Sequence, residues 1–453
     1  MPAPVLRPAL LAAALVLALA PAVDARDRVL GDDPYPSTYQ AVAGPPVLIR
    51  NATVLIGDGR RLDAADVLFE DGEIRRVGQG LDAPRDAVVI DGSGRWVTPG
   101  LIDVHSHLGV YPAPGLDAHN DGNEMTNPIT SQVWAEHGIW PQDPGFATAL
   151  AGGVTSLLVL PGSANLIGGR GVVLKNTAAE TYQQMKFPGA PWSLKIACGE
   201  NPKRVYGSRG NAPMTRMGNV AGYRNAFIDA REYLEKRNSE EPPKQDLRLE
   251  SLAAALTGEI KVHIHCYRSD EMAIMLDLAE EFDFHVAAFH HATEAYKIAD
   301  RLAENGTCGA LWADWWGFKA EAWDAIQENL LVVDRAAGGR GCAIVHSDSP
   351  EGIQRLNQEA GKAIGTARRV GIEITPEHAI RWITENPARS MGILDQTGTL
   401  ERGKMADVVL WNQNPFSVYA RAEKVWIDGA LMFDRNDPAR RPVSDFTLGK
   451  DLH

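Results

Sequence analysis

Histidines stand two residues apart in two short apolar segments of the chain. His105 and His107 close the segment GLIDVHSH, and His263 and His265 lie in IKVHIHC. On a β-strand, side chains two residues apart point to the same side, so both imidazoles of a pair can face one metal ion. Imidazole is a common ligand of zinc, and the spacing therefore indicates metal-dependent chemistry.

Two more apolar segments end in residues of the same chemical class. His290 and His291 close HVAAFHH, and Asp348 follows CAIVHS. One histidine at a strand end carries little weight, but 6 of the 12 histidines in the chain fall at the ends of three predicted strands. With an aspartate at a fourth strand end, this placement favours a shared Zn²⁺ site that keeps an open position for water.

The segments that carry these residues belong to a central region, residues 98–390. Eight short apolar segments alternate there with segments that can form helices, which predicts parallel βα units and, most economically, a (β/α)8 barrel. Barrel enzymes place their active sites at the carboxyl ends of the strands, where the histidines and Asp348 stand. The eight segments are GLIDVHSH, GVTSLLVLPG, GVVLKN, SLKIACGE, IKVHIHC, HVAAFHH, CGALWAD and CAIVHSDS.

Both flanks of this region show short strands joined by Asp-Gly turns. Residues 26–97 and 391–453 share this pattern, and we expect them to form one small β-sheet domain beside the barrel. The expected fold class is therefore α/β, a TIM-like barrel with a flanking sheet. The Gly-rich segment 168–173 lacks the Lys-Ser/Thr ending of a phosphate-binding loop and is expected to be a turn.

The first 25 residues contain one arginine, an apolar run and small residues that end at Ala25. This is the pattern of a secretory signal peptide, and it predicts export, to a periplasm. Export permits disulfides, but the 4 cysteines of the chain include no CxxC and border apolar runs. We expect them to be small buried hydrophobic residues.

Composition excludes several classes of protein and partner. With 45% hydrophobic and 23% charged residues, the chain is too apolar and too evenly mixed to be disordered. A formal charge of -13 argues against a nucleic-acid partner. After the signal peptide, no segment approaches the ~20 apolar residues of a membrane span, so no membrane partner is expected. Whether the chain forms a homo-oligomer is left open.

Together these motifs resemble the amidohydrolase superfamily of metal-dependent hydrolases. The resemblance runs from TPGLIDVHSH (98–107) through GGVTSLLVLPG, FHHATEAYK and VHSDSP, and it closes in NPARSMGILDQTGTLERGKMADVVLW (386–411). It is nearest to the imidazolonepropionase-like and prolidase-like branch, whose members bind zinc and cleave cyclic or linear amides. The resemblance thus covers nearly the whole chain after the signal peptide.

The resemblance implies roles for individual residues. Asp348 would contact a metal and take a proton from the attacking water, and His291 could contact the substrate carbonyl. His263, His290 and His346 would pack against or support the ligands. The implied metal ligands are His105, His107, His265, His291 and Asp348.

The fourth barrel strand leaves alternatives open. Binuclear members of the superfamily place a carbamylated lysine there, which bridges two metals. The segment SLKIACGEN offers Lys195 first and Glu200 second, and Lys175 is a third candidate. An unmodified buried lysine costs several kcal/mol unless it is paired, so Lys195 inside a barrel requires an explanation. The site would hold one or two zinc ions, and one if neither Lys195 nor Glu200 bridges.

Several residues could contact the substrate. Tyr267 and Arg268 follow the fifth-strand histidines and could reach a substrate carboxylate, although Arg268 could equally form a salt bridge in its loop. Aromatic side chains after the seventh strand could line the cavity or pack in the core. These further candidates are Arg204, Tyr206, Arg209, Trp312, Trp315 and Trp316.

The leading hypothesis is an exported zinc-dependent amidohydrolase that is dipeptidase-like. It would cleave a C–N bond of a small-molecule amide or short peptide through metal-activated water, with Asp348 as general base and acid. Alternatives within enzymes are an imidazolonepropionase-type opening of a cyclic amide and a deamination. The alternative outside enzymes is a metal-free barrel scaffold.

Overall fold

The computed structural model describes residues 28–237 and 239–441. The predicted signal peptide, residues 1–25, lies outside the described residues. Within the described parts, no helix has the length and apolarity that crossing a membrane requires.

The first five strands belong to a sheet that flanks the barrel. Alternation of apolar and polar residues, with Asp-Gly turns between strands, favours this sheet. β1 is central, with β2 antiparallel on one side and β4 and β5 parallel on the other. The strands are β1 (Val47–Leu55), β2 (Arg61–Glu70), β3 (Glu73–Gly78), β4 (Val88–Asp91) and β5 (Trp96–Pro99).

Eight strands form the barrel, in the order in which they occur along the chain. They are almost wholly buried, which explains their continuous apolar runs. The first and last strands meet at their carboxyl ends, where the amide of Asp348 donates to the carbonyl of His105 at 3.1 Å. The strands are β6 (Leu101–Ser106), β7 (Val154–Val159), β8 (Ile167–Lys175), β9 (Ser193–Ala197), β10 (Lys261–Cys266), β11 (Val286–His291), β12 (Cys308–Leu311) and β13 (Ala343–Val345).

The chain then returns to the flanking sheet, where β14 (Val408–Trp411) pairs with β5, and β15 (Ala422–Ile427) and β16 (Ala430–Asp434) extend the edge. The predicted fold class is therefore confirmed. The residue limits predicted for the domains stay predictions.

Helices cover the barrel and its mouth. Three of them, α2 to α4, occupy the long connection between β9 and β10. Pro376 occupies the first turn of its helix, where its missing amide hydrogen costs nothing. The helices are α1 (Pro144–Ala151), α2 (Glu200–Gly207), α3 (Arg216–Arg237), α4 (Leu247–Leu256), α5 (Ser269–Phe282), α6 (Ala299–Glu304), α7 (Asn329–Gly339), α8 (Leu356–Arg369), α9 (Pro376–Ala379) and α10 (Glu385–Met391).

One barrel strand departs from the parallel arrangement. β8 runs antiparallel to β7 and to β9. Only residues 160–166 connect β7 with β8, whereas a parallel crossover needs about a dozen residues or more. The prediction of a turn at 168–173 was wrong, because this segment lies within β8. Its glycines allow close approach: a Cβ on Gly169 would lie 2.3 Å from the carbonyl oxygen of Val133.

The prediction that the cysteines are unpaired was also wrong. Cys198 bonds to Cys266 and Cys308 to Cys342, with Cα–Cα distances of 5.2 and 4.5 Å. The first pair joins the carboxyl ends of β9 and β10, and the second joins the start of β12 to the residue before β13. Each pair sits on neighbouring strands of the barrel, a relation that spacing along the sequence does not reveal.

Lys175 connects the barrel to the flanking sheet. Its ammonium, at the end of β8, lies 3.2 Å from Asp407 and 2.7 Å from Asp428, and all three side chains are at most 5% exposed. The hydroxyl of Tyr39 donates to Asp428 as well. Lys175, the third candidate for the bridging ligand, is therefore held in this ion cluster, which lies outside the histidine cluster described below.

We expect Lys175→Met to lower the free energy of unfolding by about 3–5 kcal/mol, because it leaves two buried carboxylates without their cation. Urea unfolding followed by circular dichroism measures this change. Lys236→Met, in an exposed pair with Glu232 at 3.5 Å, is the control and should cost at most about 0.5 kcal/mol. Equal effects of the two substitutions would contradict the role assigned to Lys175.

Candidate metal centre

Polar side chains converge on a cavity of about 520 Å³ at the carboxyl end of the barrel. A larger cavity, of about 730 Å³, lies on the outside of the barrel between α6 and α7 and contains none of the histidines. Because the chemistry-bearing residues cluster in the first cavity, we regard it as the functional site. It is lined by His105, His107, Ser163, Lys195, Glu200, Asn201, Arg204, His265, Tyr267, His291, Trp312, Trp315, Phe318, Lys319 and Asp348.

Four of these groups surround one point. His105 Nε2 lies 3.3 Å from His107 Nε2, 3.4 Å from Asp348 Oδ1 and 3.3 Å from Lys195 Nζ. His107 Nε2 is 3.2 Å from the same oxygen of Asp348. β6 supplies His105, and His107 follows directly after it. Lys195 lies in β9, and Asp348 follows β13. Candidate ligand atoms of His105, His107 and Asp348 all lie within 4.8 Å of one another, so one ion could contact all three.

A second group extends the cluster. Ligand atoms of His105, His291 and His346 also lie within 4.8 Å of one another, and His291 Nδ1 is 3.8 Å from Asp348 Oδ2. The Nδ1 atoms of His265 and His291 are buried and have no hydrogen-bond partner among the residues described. Buried polar atoms normally have a partner, and a cation in the cavity would supply one.

The electrostatics also fit a metal. Burial lowers the pKa of His105, His265 and His291 well below the usual value, and the charge of Lys195 adds to the effect. These imidazoles are therefore neutral at pH 7, the state that binds metals. Burial likewise lowers the pKa of Lys195 to about 7, so a large fraction of this amine is uncharged near neutral pH.

Three buried imidazoles form a chain behind the cluster. His105 Nδ1 lies 2.9 Å from His290 Nδ1, and His290 Nε2 lies 2.8 Å from His263 Nδ1. When Nε2 of His105 is the ligand atom, its Nδ1 carries the proton and donates to His290, which in turn donates to His263. The chain therefore fixes the ring orientation and tautomer of His105.

The backbone at two candidate ligands adopts the left-handed conformation. His291 has φ of 67° and Asp348 has φ of 56°, values that are uncommon for residues other than glycine. The amide of His291 donates to His346 Nε2 at 3.2 Å, a contact that holds this conformation. Such strained positions cluster at functional sites because the surrounding structure must enforce them.

Asp103 and His346 belong to the site although the sequence analysis gave Asp103 no role and His346 only packing or support. The carboxylate of Asp103 accepts from the amides of His105 and Ser347, each at 3.2 Å, and thereby joins β6 to the end of β13. Asp103 precedes His105, and His346 precedes Asp348, by two residues. The alternation that identified His105 and His107 could therefore have indicated these residues too.

The structure places Lys195 and Tyr267 among the lining residues of the cavity and separates the other candidates. Glu200 lines the cavity, but its carboxylate lies 3.6 Å from Lys319 Nζ. The guanidinium of Arg268 is not among the cavity groups, because it binds Asp270 at 2.8 Å.

The additional candidates separate in the same way. Arg204, Trp312 and Trp315 line the cavity, whereas Trp316 is not among its lining residues. Tyr206 is buried, and its hydroxyl donates to the carbonyl of Asn127 at 2.8 Å. Arg209 donates to the carbonyl of Met125.

Comparisons with known proteins find amidohydrolases. Residues 350–433 match the model of the Amidohydrolase family. Amidohydrolase tasK of Hapsidospora irregularis is 34% identical over 444 residues, covering 87% of this chain but 44% of its own length, so the chain spans less than half of that relative. An amidohydrolase structure from Thermotoga maritima MSB8 is 34% identical with a TM-score of 0.78, covering 86% of this chain and 100% of that one. A prolidase complexed with N-methylphosphonate-L-proline shares the fold, with 18% identity, a TM-score of 0.52, and coverage of 85% and 99%.

We expect His290→Leu to weaken metal binding by about 10–100-fold, because His105 loses the acceptor that fixes its tautomer. Competition with a chromogenic chelator measures the affinity. His285→Leu, at the exposed opposite end of β11, is the control and should leave affinity unchanged. If both variants bind metal as the wild type does, the imidazole chain has no part in metal binding.

Proposed function

Because the chain belongs to the amidohydrolase family of hydrolases, which act on carbon–nitrogen bonds, we propose that it is an exported zinc-dependent amidohydrolase. Its substrate would be a small-molecule amide or a short peptide. The observation that carries this proposal is the convergence of His105, His107, Lys195 and Asp348 on one point at the mouth of the barrel.

The residues that would hold zinc are the clustered histidines together with Asp348. Bound zinc lowers the pKa of water from about 15.7 towards 7 and polarises a carbonyl. The neutral imidazoles, the orphaned Nδ1 atoms and the adjacent carboxylate support this choice of ion. The residues concerned are His105, His107, His265, His291 and Asp348.

The side chains around the cavity supply the proton transfers. Asp348 is partly exposed and faces the cavity, so its carboxylate can accept a proton from the attacking water and pass it to the leaving nitrogen. His291 lies 3.8 Å away and can contact the substrate carbonyl. Burial raises the pKa of Tyr267, which keeps its phenol protonated as a hydrogen-bond donor to the substrate.

Lys195 is the residue that we expect to bridge a second ion. Its side chain is buried, with no carboxylate within ion-pair distance among the residues described. A neutral amine can attack CO₂ and release a proton to form a carbamate, which is a carboxylate. This modification would remove the cost of burying a lysine beside His105. Glu200, the alternative, already faces Lys319.

Two features support export. The first is the signal-like pattern of residues 1–25. The second is the pair of disulfides, which persist in oxidising compartments such as a periplasm.

Elemental analysis of protein reconstituted with zinc and bicarbonate should find about two ions per chain, and about one in Lys195→Ala, because the bridging carboxylate is lost. Lys236→Ala, at an exposed position of α3, is the control and should retain both ions. An unchanged count in Lys195→Ala, with a loss in Glu200→Gln, would transfer the bridging role to Glu200. No zinc in the wild type would favour the metal-free scaffold.

Asp348→Asn keeps the shape of the side chain but cannot accept the proton. We expect metal content to remain largely intact while kcat on dipeptides and N-acyl amino acids falls by about 10²–10⁴-fold. Asp314→Asn, whose carboxylate pairs with Lys362 on the exposed surface, is the control. Turnover of Asp348→Asn near the wild-type rate would exclude its role in proton transfer. If the zinc-loaded wild type cleaves none of these amides, the proposed function is wrong.

A further inference from the structure

An aromatic wall leads from the candidate metal centre to the mouth of the cavity. We define it as Tyr267, Trp312, Trp315 and Phe318. The ring of Trp312 stacks on His291 with centroids 4.3 Å apart, and the ring of Trp315 follows at 4.7 Å. Trp312 is 8% exposed, whereas Trp315 is 44% exposed, so the wall runs outward from the buried ligand to solvent. An amide held at the centre would place one substituent along this wall.

Two cations face the cavity beside the aromatic wall. Lys319 Nζ lies 4.2 Å from the ring centroid of Tyr267 and 3.0 Å from Asn201 Oδ1. Arg204, on α2, lines the same cavity, and the side chain has no hydrogen-bond or ion-pair partner within the described chain. The two charges are close enough that Arg204 helps burial to lower the pKa of Lys319.

The acidic groups near these cations pair with Lys319, with Arg216 or with the backbone, and among the described residues none of them pairs with Arg204. Glu321 accepts from the amide of Glu200 at 2.6 Å and from Arg216 at 2.7 Å. Arg216 also binds Glu271 at 2.9 Å. Glu200 lies 3.6 Å from Lys319, and Glu321 lies 3.8 Å from it, which leaves Arg204 as the cation without a counter-ion. An unpaired guanidinium at a cavity mouth suits a carboxylate, which it can bind with two hydrogen bonds.

We propose that Arg204, assisted by Lys319, binds a carboxylate of the substrate while the aromatic wall covers an aromatic or large apolar group. The substrate class is then an N-acyl amino acid or dipeptide that carries both features. This inference rests on the proposed function and deepens it. It also transfers carboxylate recognition from Arg268, which the sequence favoured, to a residue of α2.

Binding of two non-hydrolysable probes to the zinc-loaded full chain tests the proposal without turnover. The probes are 3-phenylpropanoate and its neutral counterpart 3-phenylpropan-1-ol, and calorimetry gives both dissociation constants. We expect the wild type to prefer the carboxylate by at least about tenfold, and Arg204→Gln to reduce that preference by about 10–100-fold. Any contribution from the metal to carboxylate binding is common to both proteins, so the change in the ratio reports Arg204.

Lys203→Gln is the matched control, because Lys203 is the preceding cation on α2 and is not among the lining residues. It should leave the preference unchanged. Trp315→Ala should weaken 3-phenylpropanoate about tenfold and leave propanoate unchanged. A wild-type preference near one, no measurable binding of the carboxylate, or an equal preference in Arg204→Gln would overturn the proposal. Failure to hydrolyse amides with the preference intact would count against the proposed function alone.

Discussion

The structure depends on the burial of six imidazoles at one end of a barrel. His105, His263, His265, His290, His291 and His346 are each at most 2% exposed. Buried ring nitrogens need hydrogen-bond or metal partners, because they are removed from bulk water. Some are satisfied by one another, as in the chain from His105 to His263, and some by the backbone, as at His346. The Nδ1 atoms of His265 and His291 have no partner among the described residues, and the Nε2 atoms of His105 and His107 lie within 3.4 Å of Asp348. These contacts make the cluster a candidate metal centre rather than a polar core.

The candidate ligand atoms keep their relative positions only if the strand ends that carry them are rigid. A disulfide and hydrogen bonds hold these strand ends, and an ion cluster holds the barrel to the flanking sheet. The Cys198–Cys266 bond joins β9 to β10 at the residue after His265, and the amide of Cys198 donates to the carbonyl of His265 at 2.9 Å. Asp103 ties the end of β6 to the end of β13. At the end of β8, the buried Lys175 cluster fastens the barrel to the flanking sheet. The first two links hold backbone beside candidate ligands, whereas Lys175 lies at the other end of the barrel, because it pairs with Ser156 near the start of β7.

Short sequence patterns predicted the features that depend only on residues close together in the chain. Short apolar runs identified all eight barrel strands, and alternation identified the candidate ligands at their ends, because both depend on neighbours in sequence. The direction of β8 depends on the length of its connection to β7, residues 160–166, which is too short for a parallel crossover. The disulfides depend on which strands are adjacent and on how the strands are aligned along the barrel axis. Both are set only when the barrel closes. The sequence placed Arg268 ahead of Arg204 as a carboxylate-binding cation, and only the structure shows that Arg268 already pairs with Asp270.

The residues that would carry out the reaction and those that would select the substrate stand on different parts of the fold. Groups that would hold a metal or move a proton stand on strand ends, where the barrel fixes them. The groups that would meet the rest of the substrate stand on α2 and on the connection after β12, outside the hydrogen-bonded barrel. Connections tolerate change in sequence better than strands do, because fewer buried contacts constrain them. Relatives that keep the strand-end histidines can therefore differ at the positions of Arg204, Trp315 and Lys319. For this reason, membership in the family says more about the type of bond that is cleaved than about the substrate that contains the bond.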